Sequence, residues 1–293
     1  MSETYQRDGA ASEQSRANGL KLRVVSAGVL APVVLAITYA GGAMFLALCT
    51  VAAGGILWEW TTLVARRPDT RILVPGCITL VVAALLIGLG LADAALGMVA
   101  VGALLAGLTF VALPPGEPRL PEAAWAGSGI LFAGALLFGP ALLRKDPEWG
   151  LTALLFLFAT VWSTDIFAFL SGRAIGGPKL WPRVSPNKTW SGAIGGVIGG
   201  VAGGSAVAYA SGIDTLGMIG AMGFLLSVLA QAGDLFESAV KRHFGAKDAG
   251  TLIPGHGGLM DRLDGFLVAA VAALLIGILR DGTGAAARGL LVW

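Results

Sequence analysis

Residues 150–171 read GLTALLFLFATVWSTDIFAFLS, and this stretch decides the fold class. It contains one ionisable side chain, Asp165, and is about as long as the roughly 20 apolar residues with which an α-helix crosses a bilayer. We therefore predict an all-α protein, a polytopic transmembrane helical bundle of about nine spans. The other apolar runs lie at 24–40, 43–58, 72–91, 94–113, 126–143, 191–211, 215–237 and 265–280.

The composition agrees with this class. Of the 293 residues, 56% are hydrophobic and 13% are charged, whereas a soluble domain carries about a quarter charged residues. The 44 glycines indicate helices that pack closely against one another. The net charge of +2 comes without any long basic or acidic run, which argues against a nucleic-acid partner. Cys49 and Cys77 lack metal-ligand spacing and are interpreted as packing residues.

Loop charges predict the orientation. Polar residues 1–23 form a predicted cytoplasmic tail, residues 24–145 the N-terminal transmembrane helices, and residues 146–293 a C-terminal catalytic transmembrane region with cytoplasmic loops. With the N-terminus inside, most Lys and Arg residues fall in cytoplasmic loops, as the positive-inside rule requires. Those loops are 59–71, 114–125, 172–190 and 238–264. The exceptions on the predicted outer side are Arg144, Lys145, Arg280 and Arg288.

Two rows of glycines follow one face of the run 191–211. Rows of small residues let a second helix approach to backbone contact. This face fits either packing within the chain or a homodimer interface. The rows are Gly192, Gly196, Gly200 and Gly204, and beside them Gly195, Gly199 and Gly203.

The position of Asp165 within an apolar run requires an explanation, because a charged side chain at membrane depth is energetically costly. A structural hydrogen bond is one explanation. A functional role is the other, favoured by Arg173, which follows two turns later at the same predicted end of the helix.

The segment SPNKTWSG at 185–192 precedes the glycine-rich run. Its hydroxyl and amide groups and Lys188 would stand at a helix N-terminus, where the backbone favours anions. The alternative is a capped helix start with a lysine reaching for the membrane surface. The candidate anion-binding residues are Ser185, Asn187, Lys188 and Thr189.

Acidic residues gather in the last third of the chain. Asp234, Glu237, Ser238 and Lys241 are spaced i, i+3, i+4 and i+7, so they share one helix face. The Asp261-Arg262-Leu263-Asp264 segment follows a glycine-rich loop at the mouth of the last run. Carboxylates beside lysines at a membrane surface suit Mg²⁺ bridging phosphate oxygens.

The stretch 238–264 reads SAVKRHFGAKDAGTLIPGHGGLMDRLD and resembles the signature of the phosphatidate cytidylyltransferase (CDP-diacylglycerol synthase) family. The segments SPNKTW and GDLFES resemble the same family, so the similarity spans about 160–280. One position departs from the pattern: many members have Glu where this chain has Ser191.

The resemblance implies that CTP and phosphatidic acid in the bilayer give CDP-diacylglycerol and pyrophosphate. It implies Mg²⁺ held by Asp234 and Asp261, with a monovalent cation such as K⁺ as a further expectation. It places the enzyme in the cell inner (plasma) membrane with its active site facing the cytoplasm. His256 is expected either to act as a general acid or to hold the shape of its loop.

Roles for the remaining residues follow from the same resemblance. The expected catalytic residues are Asp234, Asp261, Lys241, Lys188, Arg262 and Asp264. The expected substrate-binding residues are Ser185, Asn187, Lys188, Thr189, Ser238, Lys241, Arg242, Lys247, His256, Gly257, Gly258, Asp165 and Arg173. Asp248 is expected to line the site.

Two other functions remain open from the sequence. One is a CTP-dependent cytidylyltransferase or kinase that acts on another membrane lipid. The other is an ion-coupled secondary transporter with Asp165 and Asp234 as ion ligands. The transporter predicts an inverted repeat and charges spread along a path, whereas the sequence shows no such repeat and its charges gather at one end.

Overall fold

The computed structural model describes residues 28–65, 68–111, 120–250, 252–253 and 257–293. These described residues form ten helices and one small hairpin. The first helix is α1 (Gly28–Ala40). The others are α2 (Gly42–Ala65), α3 (Thr70–Gly88), α4 (Ala92–Val111), α5 (Leu120–Arg144), α6 (Gly150–Ile175), β1 (Lys179–Trp181), β2 (Ser185–Thr189), α7 (Trp190–Ala210), α8 (Leu216–His243), α9 (Met260–Asp281) and α10 (Ala286–Leu291).

The predicted transmembrane helical bundle is confirmed. In the described ranges, eight helices are long and apolar enough to cross a membrane, namely α2 to α9. The ninth predicted run, 24–40, is described only from Gly28 and forms the shorter helix α1. Gly41 separates α1 from α2 in a left-handed conformation with φ +65°, and a Cβ there would lie 2.6 Å from Arg144 Nη2. This turn therefore requires glycine.

Trp60 lies at the centre of the N-terminal helices. It is 2% exposed, its Nε1 donates to Trp125 O at 2.9 Å, and its ring centroid lies 5.2 Å from that of Phe132. Because α5 packs on both α2 and α9, these contacts connect the first helices of the chain to the last spanning helix.

Helices α6 and α7 pack most extensively against each other. A Cβ on Gly196 would lie 3.0 Å from both Ala168 Cβ and Thr164 O, and one on Gly203 would lie 2.8 Å from Ala159 O. Both predicted glycine rows therefore face α6, and they serve packing within the chain. A homodimer through another surface stays a prediction.

The cations on the predicted outer side each have a local partner in the fold. Arg144 donates to Thr38 O at 2.8 Å, and Lys145 donates to Ile87 O at 2.8 Å, so they neutralise the C-terminal ends of α1 and α3. Arg280 lies 3.5 Å from the Trp293 ring centroid, and Arg288 pairs with Asp281 at 3.0 Å. The four cations that depart from the positive-inside rule therefore have local roles in helix capping, ring contact and ion pairing.

Two local predictions need correction. The segment predicted as the loop 59–71 continues as α2 to Ala65, so Glu59 belongs to a helix. The predicted loop 172–190 contains the antiparallel hairpin β1–β2, in which Lys179 pairs with Thr189 and Trp181 with Ser185. Pairing of so few residues leaves almost no periodic signal in the sequence.

Candidate active site

Five elements bring polar residues together at one end of the bundle: the end of α2, the middle of α6, strand β2, the last turns of α8 and the start of α9. The arrangement is set by Asp234 and Lys241 on α8, which ion-pair with Lys188 and Asp261 on the neighbouring elements. The clusters that the sequence singled out in 185–192, 234–241 and 258–264 therefore form one site.

An acidic cluster lies at its centre. Asp234, Glu237 and Asp264 each offer a carboxylate oxygen within 4.8 Å of the other two. Gly233 lets α8 and α9 approach closely, because a Cβ there would lie 2.8 Å from Asp264 O. Asp264 Oδ1 also accepts from Gly265 N at 2.7 Å, and this bond orients the carboxylate.

Lys241 joins this cluster to Asp261. It is 8% exposed, and its Nζ lies 2.5 Å from both Glu237 Oε2 and Asp261 Oδ1. Asp261 Oδ2 accepts from Ala249 N at 3.1 Å and from Gly258 N at 3.0 Å. Asp261 therefore holds the loop before α9, and its role as a metal ligand stays a prediction.

Strand β2 carries Lys188 to the site, where it ion-pairs with Asp234. The Lys188 side chain is 27% exposed and the Asp234 side chain is 38% exposed, so solvent reaches the pair. Thr189 is buried and caps α7, accepting from Gly192 N at 3.1 Å. The predicted helix cap is therefore present at Thr189, Lys188 faces the acidic cluster instead of the membrane surface, and anion binding by this segment stays a prediction.

Asp165 lines the same space. It is exposed on α6 and lies close enough to Asp234, Lys188 and Arg262 to interact with them electrostatically. Arg173, by contrast, is exposed further along α6, with its guanidinium 6.0 Å from the centroid of the Phe169 ring.

Of the other predicted binding residues, Ser238 contacts the acidic cluster. Ser238 donates to Asp234 Oδ1 at 3.4 Å, whereas the exposed Arg242 donates to Ala246 O at 2.9 Å. Ser191 donates to Gly176 O and so ties the start of α7 to the end of α6. Residues on the β2 strand or on the loop after α8 are Ser185, Asn187, Lys247, Asp248 and Gly257. His256 lies outside the described residues.

Glu59 is a site residue that sequence reasoning missed. It is 1% exposed, and its carboxylate accepts from Leu259 N at 2.9 Å and from Met260 N at 2.7 Å, at the start of α9. The sequence signal was an acid at the end of an apolar run, between two tryptophans, in the half of the chain taken to lie away from the site.

The charges of the site suit a divalent cation. Apart from Glu59, which binds backbone N–H groups, the site contains five carboxylates and three cations, a formal excess of two negative charges. The carboxylates are those of Asp165, Asp234, Glu237, Asp261 and Asp264, and the cations are Lys188, Lys241 and Arg262. Within the described residues, both carboxylate oxygens of Glu237 are buried and have no hydrogen-bond partner. One of them, Oε2, forms an ion pair with Lys241. Buried carboxylate oxygens lacking hydrogen bonds are ligands that Mg²⁺ accepts, so the cluster of Asp234, Glu237 and Asp264 fits a metal ion.

An apolar groove of about 870 Å³ lies along α7 and α8. Leu180, Trp190 and Leu235 line the end nearest Lys188 and Asp234, and Ala202 and Phe224 line the far end. From Trp190 to Ala202 the helix rises roughly 18 Å. The groove therefore has membrane depth, and its lining comes within two residues of Lys188 and Asp234 in the sequence.

Comparisons with known proteins agree with these features. The sequence model of the cytidylyltransferase family matches residues 21–279. A phosphatidate cytidylyltransferase of Brucella abortus biovar 1 (strain 9-941) is 41% identical over 269 residues, which are 89% of this chain and 94% of that protein. A phosphatidate cytidylyltransferase of Staphylococcus aureus (strain COL) is 35% identical over 161 residues, 55% of this chain and 61% of that protein. The resemblance is confirmed, and the chain belongs to the cytidylyltransferase family.

Proposed function

We propose that the protein transfers CMP from CTP to phosphatidate, giving CDP-diacylglycerol and pyrophosphate. The observation that carries this proposal is a mixed cluster of carboxylates and lysines whose sequence neighbours on α7 and α8 line an apolar, membrane-deep groove. An enzyme that joins a lipid phosphate to a nucleotide needs both parts side by side. The curated relatives, named phosphatidate cytidylyltransferases, support the same reaction.

In the proposed reaction, a phosphate oxygen of phosphatidate attacks the α-phosphorus of CTP. A new P–O bond forms, the bond from the α-phosphorus to the bridging oxygen breaks, and that oxygen leaves with pyrophosphate. The nucleophile is already an anion, so the main barrier is repulsion between the two phosphates. Lys188 would reduce that repulsion by exchanging its exposed carboxylate partner for a phosphate oxygen, and Lys241 would do so with the N–H donor that its two carboxylates leave over.

Asp234, Glu237 and Asp264 would hold Mg²⁺. When bound, the ion would supply positive charge to phosphate oxygens and to the leaving pyrophosphate. The chain's own residues would orient the reactants: α8 presents Asp234 and Lys241 on one face, and β2 presents Lys188 opposite them. A K⁺ ion at the site stays a prediction.

The orientation is part of the proposal. CTP is water-soluble, so the polar end of the bundle would face the cytoplasm, in agreement with the cations of 172–190 and 238–264. The N-terminus would then lie inside, and the bacterial relatives support an inner-membrane location.

Labelled CTP tests the function. With purified protein, Mg²⁺ and phosphatidate, label in the α-phosphate should appear in the lipid product, and label in the γ-phosphate should appear in pyrophosphate. Transfer of γ-label to a lipid would instead establish a kinase. Omission of Mg²⁺ should abolish both signals.

Lys188→Ala should raise the KM for phosphatidate or CTP by roughly tenfold and change stability little. The reason is that Lys188 supplies a partly exposed charge to the acidic cluster, and exposed pairs contribute little to folding. Steady-state kinetics with each substrate varied would measure the change. Lys179→Ala, on the paired strand, is the control, and kinetics equal to those of the parent in Lys188→Ala would make Lys188 a structural residue.

Ala202→Trp should lower activity on long-chain phosphatidate by roughly tenfold and spare a short-chain substrate. The groove would receive the acyl chains, and an indole at its far end would obstruct only chains that reach it. Ala206→Trp is the matched control, because it places the same side chain one turn further along α7 at another exposed alanine that does not line the groove. Equal losses on both chain lengths would exclude this groove as the acyl site.

A further inference from the structure

Glu59 stands apart from the acids that face the phosphates. It lies in the N-terminal half on α2, is 1% exposed, and reaches residues 200 and 201 positions later in the chain. Its oxygens accept from two successive backbone N–H groups at the start of α9. The first N–H groups of a helix have no partner within the helix, so a carboxylate there satisfies them and favours the positive end of the helix dipole.

The same turn lies between Glu59 and Asp261. Gly258 N donates to Asp261 Oδ2 at 3.0 Å, and the next two N–H groups donate to Glu59. A Cβ on Gly258 would lie 2.8 Å from Asp261 Oδ2 and 2.9 Å from Glu59 Oε2. Gly250 is packed in the same way, since its Cβ would lie 2.6 Å from Glu59 Oε1. Gly250 and Gly258 therefore leave the space in which the carboxylates of Glu59 and Asp261 bind the backbone of 258–260.

We propose that Glu59 is a positioning residue of the active site: its contacts with Leu259 and Met260 fix the turn that places Asp264 in the acidic cluster and Asp261 beside Lys241. The inference rests on the proposed function. It makes the N-terminal helices part of the catalytic apparatus, because Glu59 determines where α9 begins in space. Groups that orient metal-site residues typically change metal affinity or activity by about 10–100-fold when they are removed.

Glu59→Gln tests this role. The amide keeps the size of the side chain but turns an NH₂ group towards one of the two backbone donors. We expect the Mg²⁺ concentration for half-maximal activity to rise by about tenfold. Hydrogen exchange at Leu259 and Met260 should be faster without any metal or nucleotide present. This second measurement does not require the enzyme to turn over.

Trp60→Phe is the matched control for a general folding defect. Trp60 neighbours Glu59 and is equally buried, but its Nε1 binds Trp125 O on α5. Its loss should lower the unfolding temperature and leave the Mg²⁺ dependence unchanged. Gly258→Ala should reproduce the Glu59→Gln effect, and the double variant should be no worse than the stronger single variant, because both changes disturb one turn.

Two outcomes separate the proposals. If Glu59→Gln loses activity only in step with folded protein, with parental Mg²⁺ dependence and parental exchange at Leu259 and Met260, the positioning role is wrong. If exchange rises in the variant while the parent makes no CDP-lipid, the positioning role stands and the proposed function is wrong.

Discussion

Asp234→Asn is expected to lower kcat by at least about 100-fold while the chain still inserts into membranes and keeps its unfolding temperature. Asp234 offers an oxygen to the acidic cluster and pairs with Lys188, so it contacts both the proposed metal site and a proposed phosphate ligand. A neutral amide binds Mg²⁺ weakly, and loss of a group that stabilises transition-state charge costs about 10²–10³ in kcat. Stability should change little, because the Asp234 side chain is 38% exposed.

Asp93→Asn makes the same chemical change at an exposed acid in the first turn of α4. It should have parental kcat, and excess Mg²⁺ should not restore Asp234→Asn. Turnover of Asp234→Asn within about twofold of the parent would remove Asp234 from the metal site.

The bundle could be predicted from the sequence because burial in lipid demands long apolar helices. The run 150–171 and its neighbours carry that signal residue by residue. The sequence of a helix does not indicate in the same way which other helix packs against it. The glycine rows of α7 indicated a close neighbour, but only the structure identifies it as α6. The hairpin β1–β2 was also missed, because a few paired residues next to prolines have no periodicity.

The site was predictable in its residue types and only partly in its pairings. The i, i+3, i+7 spacing placed Asp234, Glu237 and Lys241 on one face of α8, as found. Which acids group together depends on how α8 meets α9, and here Asp264 lies in the acidic cluster while Asp261 binds Lys241. The role of Glu59 could not be predicted, because no local sequence pattern relates it to a turn 200 residues later in the chain.

Lys241→Met should have the largest effect on stability, about 3–5 kcal/mol, and should also abolish activity. Lys241 is 8% exposed and lies between Glu237 and Asp261, whose side chains are only 1% and 13% exposed. Removing the cation leaves two carboxylates that are held near each other without compensation. The unfolding midpoint in detergent, measured beside the turnover of labelled CTP, reports both losses.

A second substitution separates folding from chemistry at this position. Lys241→Met combined with Glu237→Gln removes one uncompensated charge, so it should recover part of the lost stability, while activity stays absent because no ammonium group remains to bind phosphate. Arg242→Met is the control for stability. Arg242 is the cation next to Lys241 in the sequence, but it is exposed and in the described structure binds only Ala246 O. If Lys241→Met unfolded at the same temperature as Arg242→Met, the buried ion pairs would not be holding the ends of α8 and α9 together, and the charge arrangement on which the site depends would be wrong.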